Sequence, residues 1–128
     1  AGFPGLVINL LGYEPMYLVE SNKRKAAFLK EVIRITGATA KVLDGRVEDI
    51  GLSEPAFISA RAVGDVSKLL NLAKPLVSKN TLCIFPRGKN YRAELTKASK
   101  YWRIDYRLVR SITEPASRIV IVEAFSRV

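Results

Sequence analysis

Apolar and polar positions alternate along the chain in a way that predicts strands and helices in turn. Met16-Tyr17-Leu18-Val19 is a short apolar run ending at Glu20. From Asn22 to Ile35 the spacing is helical, with Ala26, Leu29, Val32, Ile33 and Thr36 near one face. Ser21 is the expected N-cap of that helix and Gly37 its C-terminal stop. Ala40 to Leu43 is a second strand, Arg46 to Ile50 a short turn or helix, and Ala56 to Ala60 a third strand. Val66 to Leu72 reads as a helix ending near Pro75. Thr81 to Phe85 reads as a strand stopped by Pro86, and Tyr91 to Trp102 as a helix. Ile104 to Ile112 and Arg118 to Phe125 close the chain as two strands.

The early strands are continuous apolar runs, the pattern of a sheet covered on both faces. Strand–helix alternation predicts an α/β fold with a parallel, doubly wound sheet. Only Thr113 to Ser117 separates the last two strands, so they should form an antiparallel hairpin. A length of 128 residues suits a single domain with a real core, and no repeat or linker interrupts it.

Composition then narrows the chemistry. The chain has one cysteine and no histidine. That removes an internal disulfide, Ser-His-Asp and Cys-His catalysis, and zinc sites built on several cysteines or on histidine. Cys83, between Leu82 and Ile84, reads as a buried core thiol. No apolar run approaches the ~18 residues of a membrane span, and no signal-peptide pattern opens the chain. The net charge of +9 favours a polyanionic partner, nucleic acid above anionic lipid. Eight basic and two acidic residues fall between Arg87 and Arg110, which concentrates most of the excess there.

Several local features fit a nucleotide-like ligand. Gly2-Phe3-Pro4-Gly5 leads into an apolar helix, so a glycine-permitted backbone approach meets a helix start. By itself this is an ordinary turn. Glu20 ends a strand 18 residues after Gly2. In dinucleotide-type folds an acidic residue at about that distance accepts from ribose hydroxyls. Together the two favour a nucleoside-bearing cofactor over a strand-end glutamate in solvent. Val47 and Glu48 follow a strand, in the kind of loop that lines the crevice, where Val47 can pack on a base and the backbone read its edge. A solvated helix cap is the alternative. Arg61, after the next strand, either faces the same crevice or makes a surface ion pair. Lys23-Arg24-Lys25 opens a helix against its dipole, which points to phosphate contacts or simply to a solvated face. Arg87 and Lys89 lie in Phe85-Pro86-Arg87-Gly88-Lys89-Asn90-Tyr91, a mixture of cations and aromatics common at RNA contacts.

Taken in order, Ala1 to Val7, Leu18 to Leu29, Gly45 to Glu48, Ala60 to Ala62 and Phe85 to Lys89 resemble the ribosomal RNA small-subunit methyltransferase G family (RsmG, also called glucose-inhibited division protein B, GidB). The resemblance implies a class I, Rossmann-like fold that uses S-adenosylmethionine (SAM). It also implies methyl transfer to N7 of a guanine in bacterial 16S rRNA, within the cytoplasm, by a monomer acting on the small ribosomal subunit without metal or membrane. Gly2 and Phe3 would lie in the cofactor loop, Glu20 would hold the ribose, and Val47 and Glu48 would flank the adenine. Arg61 would contact the cofactor or position the target base, and Arg46 and Arg118 would contact RNA. The family carries a first strand ahead of the position of Ala1, central between the Met16–Glu20 and Ala56–Ala60 strands. The chain is therefore expected to be truncated at its N-terminus, with the first strand missing. No residue stands out as a catalytic base or nucleophile, and no Asn-Pro-Pro-Tyr-like segment follows Ile58. Such a site suits an acceptor with a ready lone pair, such as guanine N7, and catalysis by positioning. A non-catalytic RNA-binding fragment and a nucleotide-dependent oxidoreductase on the same fold are the competing expectations.

Overall fold

In a computed structural model, residues 2–52 and 54–128 are described. They form two compact units, Ala1–Gly51 and Leu52–Val128.

The first unit contains helix α1 (Gly5–Leu10), strand β1 (Tyr17–Glu20), helix α2 (Lys23–Thr36) and strand β2 (Lys41–Asp44), then a 3-10 turn at Val47–Asp49. β1 and β2 are parallel, with Leu18 opposite Val42 and Glu20 opposite Asp44. α2 is the crossover between them. Its predicted apolar stripe is the face that packs: Ala26 and Leu29 are buried, and Val32 and Ile33 pack against the core of Leu6, Leu18, Leu29 and Ala40. Thr36 is exposed and bonds back to the Val32 carbonyl. Asn22, rather than Ser21, caps the helix, because its side chain accepts from the Lys25 N–H at 3.1 Å. Gly37 ends the helix at φ 72°, the left-handed conformation that glycine adopts most easily.

The second unit contains β3 (Phe57–Ser59), α3 (Val66–Ala73), β4 (Leu82–Arg87), α4 (Tyr91–Ala98), β5 (Trp102–Arg110) and β6 (Arg118–Arg127). Its sheet order is β3-β4-β6-β5. β3 and β4 are parallel, while β6 runs antiparallel to both β4 and β5, which gives the expected hairpin. The core gathers Val66, Leu70, Cys83, Phe85, Leu95, Trp102, Val120 and Val122.

Two expectations are corrected here. β4 continues through Pro86 to Arg87. β3 ends opposite Ile84, so beyond that point β4 pairs with β6 alone, and a strand with one neighbour tolerates a residue without an N–H. The α4 helix stops at Ala98, and Trp102 opens β5 instead of closing the helix. Trp102 is 1% exposed, with its indole N–H on Ser67 Oγ at 3.2 Å and its ring edge-on to Phe125. Burial of that large ring in the sheet core outweighs helical spacing.

Candidate functional site

The glycine turn, Glu20 and the segment after β2 all belong to the first unit. α1 is a helix of six residues, and its first turn is closed internally, with the Leu6 N–H donating to the Gly2 carbonyl at 2.7 Å. Ala1, the first residue of the turn, lies outside the described residues. Gly2 is buried, and a Cβ there would collide with the Leu29 side chain of α2. A Cβ at Gly5 would come within 2.7 Å of Leu18 Cδ2. Both glycines thus let the turn sit tightly on α2 and β1. Phe3 is half exposed.

Asn9 carries a part of this corner that hydrophobic patterning does not disclose. It is 5% exposed on α1. Its Oδ1 accepts from the N–H groups of Thr39 (2.9 Å) and Ala40 (2.8 Å). Its Nδ2 donates to the Tyr13 carbonyl (3.1 Å) and Thr39 Oγ1 (2.9 Å). The amide satisfies all four of its hydrogen-bonding positions and clamps the turn and α1 to the start of β2. The only sequence signal was a polar residue inside the run Leu6 to Leu11.

Glu20 closes β1 and is 9% exposed. Its carboxylate accepts from the Asn22 N–H at 3.0 Å. That backbone hydrogen bond holds its pKa below the ordinary carboxylate value against the opposing effect of burial, and the nearby Lys25 charge helps. The group is therefore an ionised acceptor at neutral pH. Its own carbonyl accepts from the Gly45 N–H at 3.0 Å, which ties the end of β1 to the chain leaving β2. Gly45, at φ 137°, turns that chain into Arg46 and the 3-10 turn, where Val47 is half-buried and Glu48 is exposed. Glu20 and the Gly45–Asp49 segment are thus brought together at the carboxyl ends of two adjacent parallel strands. Asp44, the register partner of Glu20, is held by Lys30 at 2.6 Å.

The basic positions divide. Lys23, Arg24, Lys25 and Arg46 are exposed in the first unit, and Lys89 and Arg61 in the second, Arg61 in the turn after β3. Arg87 differs from the expectation of an open loop cation. Its side chain is 11% exposed, pairs with Glu94 at 3.0 Å and donates to the Gly64 carbonyl at 2.7 Å. It fastens α4 and the segment before α3 to β4. Arg118 is half-buried and donates to the carbonyls of Pro115 and Ser117. Cys83 is 1% exposed, as expected for a core thiol, and burial pushes its pKa up to about 11. It is not a thiolate nucleophile at neutral pH.

A family model, GidB, rRNA small subunit methyltransferase G, matches residues 1–120. The chain belongs to this family. It is 37% identical over 127 residues to the ribosomal RNA small subunit methyltransferase G of Gluconobacter oxydans, covering 99% of this chain and 66% of that protein. It is 42% identical over 120 residues to that of Rhodospirillum centenum, covering 94% and 56%. The match in Methylorubrum extorquens is 41% identical and covers 100% and 64%. The chain therefore spans slightly less than two thirds of the curated relatives it matches. Among solved structures, a mutant MtNAS in complex with S-adenosylmethionine superposes at TM-score 0.72 and 17% identity, over 94% of this chain and 49% of that one. The Pyrococcus abyssi tRNA (uracil-54, C5)-methyltransferase, in complex with S-adenosyl-L-homocysteine, does so at 0.60 and 12%, over 95% and 30%. These likenesses establish the fold, an α/β arrangement shared with those proteins. No helix among the described residues is long and apolar enough to cross a membrane.

Proposed function

We propose that this chain forms most of a single SAM-dependent methyltransferase domain that modifies N7 of a guanine in 16S rRNA, acting as a cytoplasmic monomer on the small ribosomal subunit. The observation that carries the reading is the corner at the end of β1. A buried, ionised Glu20 stands beside the Gly45–Asp49 segment, in a chain of the methyltransferase G family. The donor set fits a nucleoside: a carboxylate that takes ribose hydroxyls, a half-buried Val47 for the flat face of an adenine, and backbone at Glu48 for its edge. Gly2 and Phe3 complete the corner from the turn, and Arg61, after β3, is assigned to the cofactor or the target base by the family resemblance. Lys23, Arg24, Lys25, Arg46, Lys89 and Arg118 supply phosphate contacts; Arg87, held by Glu94, supports the fold more than the RNA.

SAM, when bound, supplies an electrophilic methyl group. The chain's part is to orient and to exclude water. Guanine N7 offers its lone pair without deprotonation, so no side chain is needed as base, in keeping with the absence of histidine and the buried, protonated Cys83. Catalysis then rests on alignment of two bound partners, which alone is worth about 7–11 kcal/mol in well-oriented systems.

Tritiated methyl transfer from SAM to undermethylated small ribosomal subunits tests the reading. Label is expected in 16S rRNA, at a guanine that becomes sensitive to N7-specific strand cleavage. A folded protein that leaves the RNA unlabelled, or labels it elsewhere than guanine N7, refutes it.

A further inference from the structure

Three arginines stand in one row across the second unit's sheet. Arg118 on β6 is the register partner of both Arg87 on β4 and Arg110 on β5. Like charges directly opposite one another on a sheet repel. Glu94 neutralises Arg87. Among the described residues no carboxylate pairs with Arg110, Arg118 or the neighbouring Arg92. Instead these cations collect around Tyr91. The Arg118 guanidinium lies 5.3 Å from its ring centroid and that of Arg92 5.8 Å, with Arg92 Nε donating to the hydroxyl at 3.2 Å. The Tyr91 hydroxyl has its pKa lowered by that hydrogen bond first, then by the charges of Arg118, Arg92 and Arg110, which places all three guanidiniums within electrostatic reach of one point.

Beside this cluster runs a groove of about 420 Å³ between α4 and β5. That volume lies within the ~300–1,000 Å³ common for small ligands. Ile104, Tyr106 and Leu108 of β5 line one wall, and Arg92, Leu95 and Thr96 of α4 the other. Tyr106 and Leu108 are each 41% exposed. Strand alternation carries the same face from Tyr106 through Leu108 to Arg110. An exposed aromatic next to uncompensated arginines in a concave site matches the needs of a splayed-out nucleotide, whose base stacks while its phosphates are neutralised.

We propose that the α4–β5 groove seats an unstacked nucleotide of the RNA, its base against Tyr106 and Leu108 and its flanking phosphates toward Arg92, Arg110 and Arg118. This rests on the RNA-modifying reading above and adds a second RNA contact to it, built within the second unit alone. The like-charge row is then relieved when RNA is bound.

Fluorescence anisotropy of this chain with a labelled single-stranded oligoribonucleotide of about ten nucleotides, titrated at several salt concentrations, tests the groove. Tyr106→Ala should weaken binding about fivefold or more through lost stacking. Arg92→Gln and Arg110→Gln should each reduce the slope of log affinity against log salt by about 0.7. Photo-crosslinking of a 4-thiouridine oligomer to the unsubstituted chain should yield a peptide containing Tyr106, a readout independent of any variant's folding. Unchanged affinity and slope in the variants, or crosslinks confined to other segments, overturn the proposal. So does binding to phosphatidylglycerol vesicles with no binding to RNA. SAM titration of the same samples separates the two claims: SAM binding with variants that do not alter RNA affinity sinks the groove alone, whereas loss of both ligands sinks the methyltransferase reading as well.

Discussion

Asn9 joins three pieces of chain through four hydrogen bonds while almost wholly buried. Replacing it with alanine strands the Ala40 N–H in the interior and leaves the part-buried Thr39 N–H without its acceptor. Each orphaned group costs about 1–3 kcal/mol, so Asn9→Ala should lower unfolding free energy by about 2 kcal/mol or more in urea titration. Asn9→Asp keeps the acceptor and loses both donors, so it too should destabilise. Glu20 makes a second residue-scale prediction. Its folded pKa is depressed, mainly by the Asn22 N–H, so its contribution to stability is complete above the ordinary carboxylate value of 4.5 and is lost as pH falls through the lower folded value. Melting temperature should fall in that acidic window, and fall less in Glu20→Gln. An identical acid profile for the two proteins would remove Glu20 from the acid response.

The helices and strands show where local signals decide and where they do not. Gly37 ends α2 at φ 72° with open space around it. Gly37→Ala should therefore cost about 1 kcal/mol through backbone strain alone, measurable by thermal melting. The Arg87–Glu94 pair, 11% and 20% exposed, binds β4 to α4. A double-mutant cycle on it should give a coupling of about 1–2 kcal/mol, larger than for the exposed Arg34–Glu31 pair on α2. Most elements were legible from periodicity because their apolar stripes are the buried faces, as with Ala26 and Leu29 on α2. The misplaced boundaries involve partners distant in sequence. Trp102 entered a strand because Ser67 and Phe125 complete its pocket, and Pro86 stayed in β4 because β3 ends early. The choice of Asn22 over Ser21 as cap turned on one hydrogen bond. Spacing placed Glu20 and the Gly45–Asp49 segment at the ends of β1 and β2, since strand ends are where parallel strands place loops. Asn9 and the inward-facing reason for Gly2 depend on Thr39, Ala40 and Leu29, which no spacing rule links to the turn.

At the scale of the whole molecule, the charge is uneven: of the net +9, +8 falls in the second unit and +1 in the first. A net charge of +9 without histidine gives a surface whose positive sign does not change between pH 6 and 8 from side-chain imidazoles. RNA association should accordingly weaken steeply with salt and vary little across that pH range, as filter binding at graded ionic strength will report. The positions proposed for SAM gather chiefly in the first unit and the strongest cluster of uncompensated arginines in the second, so Tyr106→Ala should leave SAM affinity unchanged and Glu20→Gln should leave oligoribonucleotide affinity unchanged. The central claim is that the corner at the end of β1 holds SAM through Glu20. Calorimetric titration of SAM into this chain and into Glu20→Gln tests it most directly. The account predicts saturable SAM binding that weakens about tenfold or more in the variant, the loss of one charge-assisted hydrogen bond, with no heat from NAD. No SAM binding, equal affinity in the two proteins, or NAD binding in its place would contradict it.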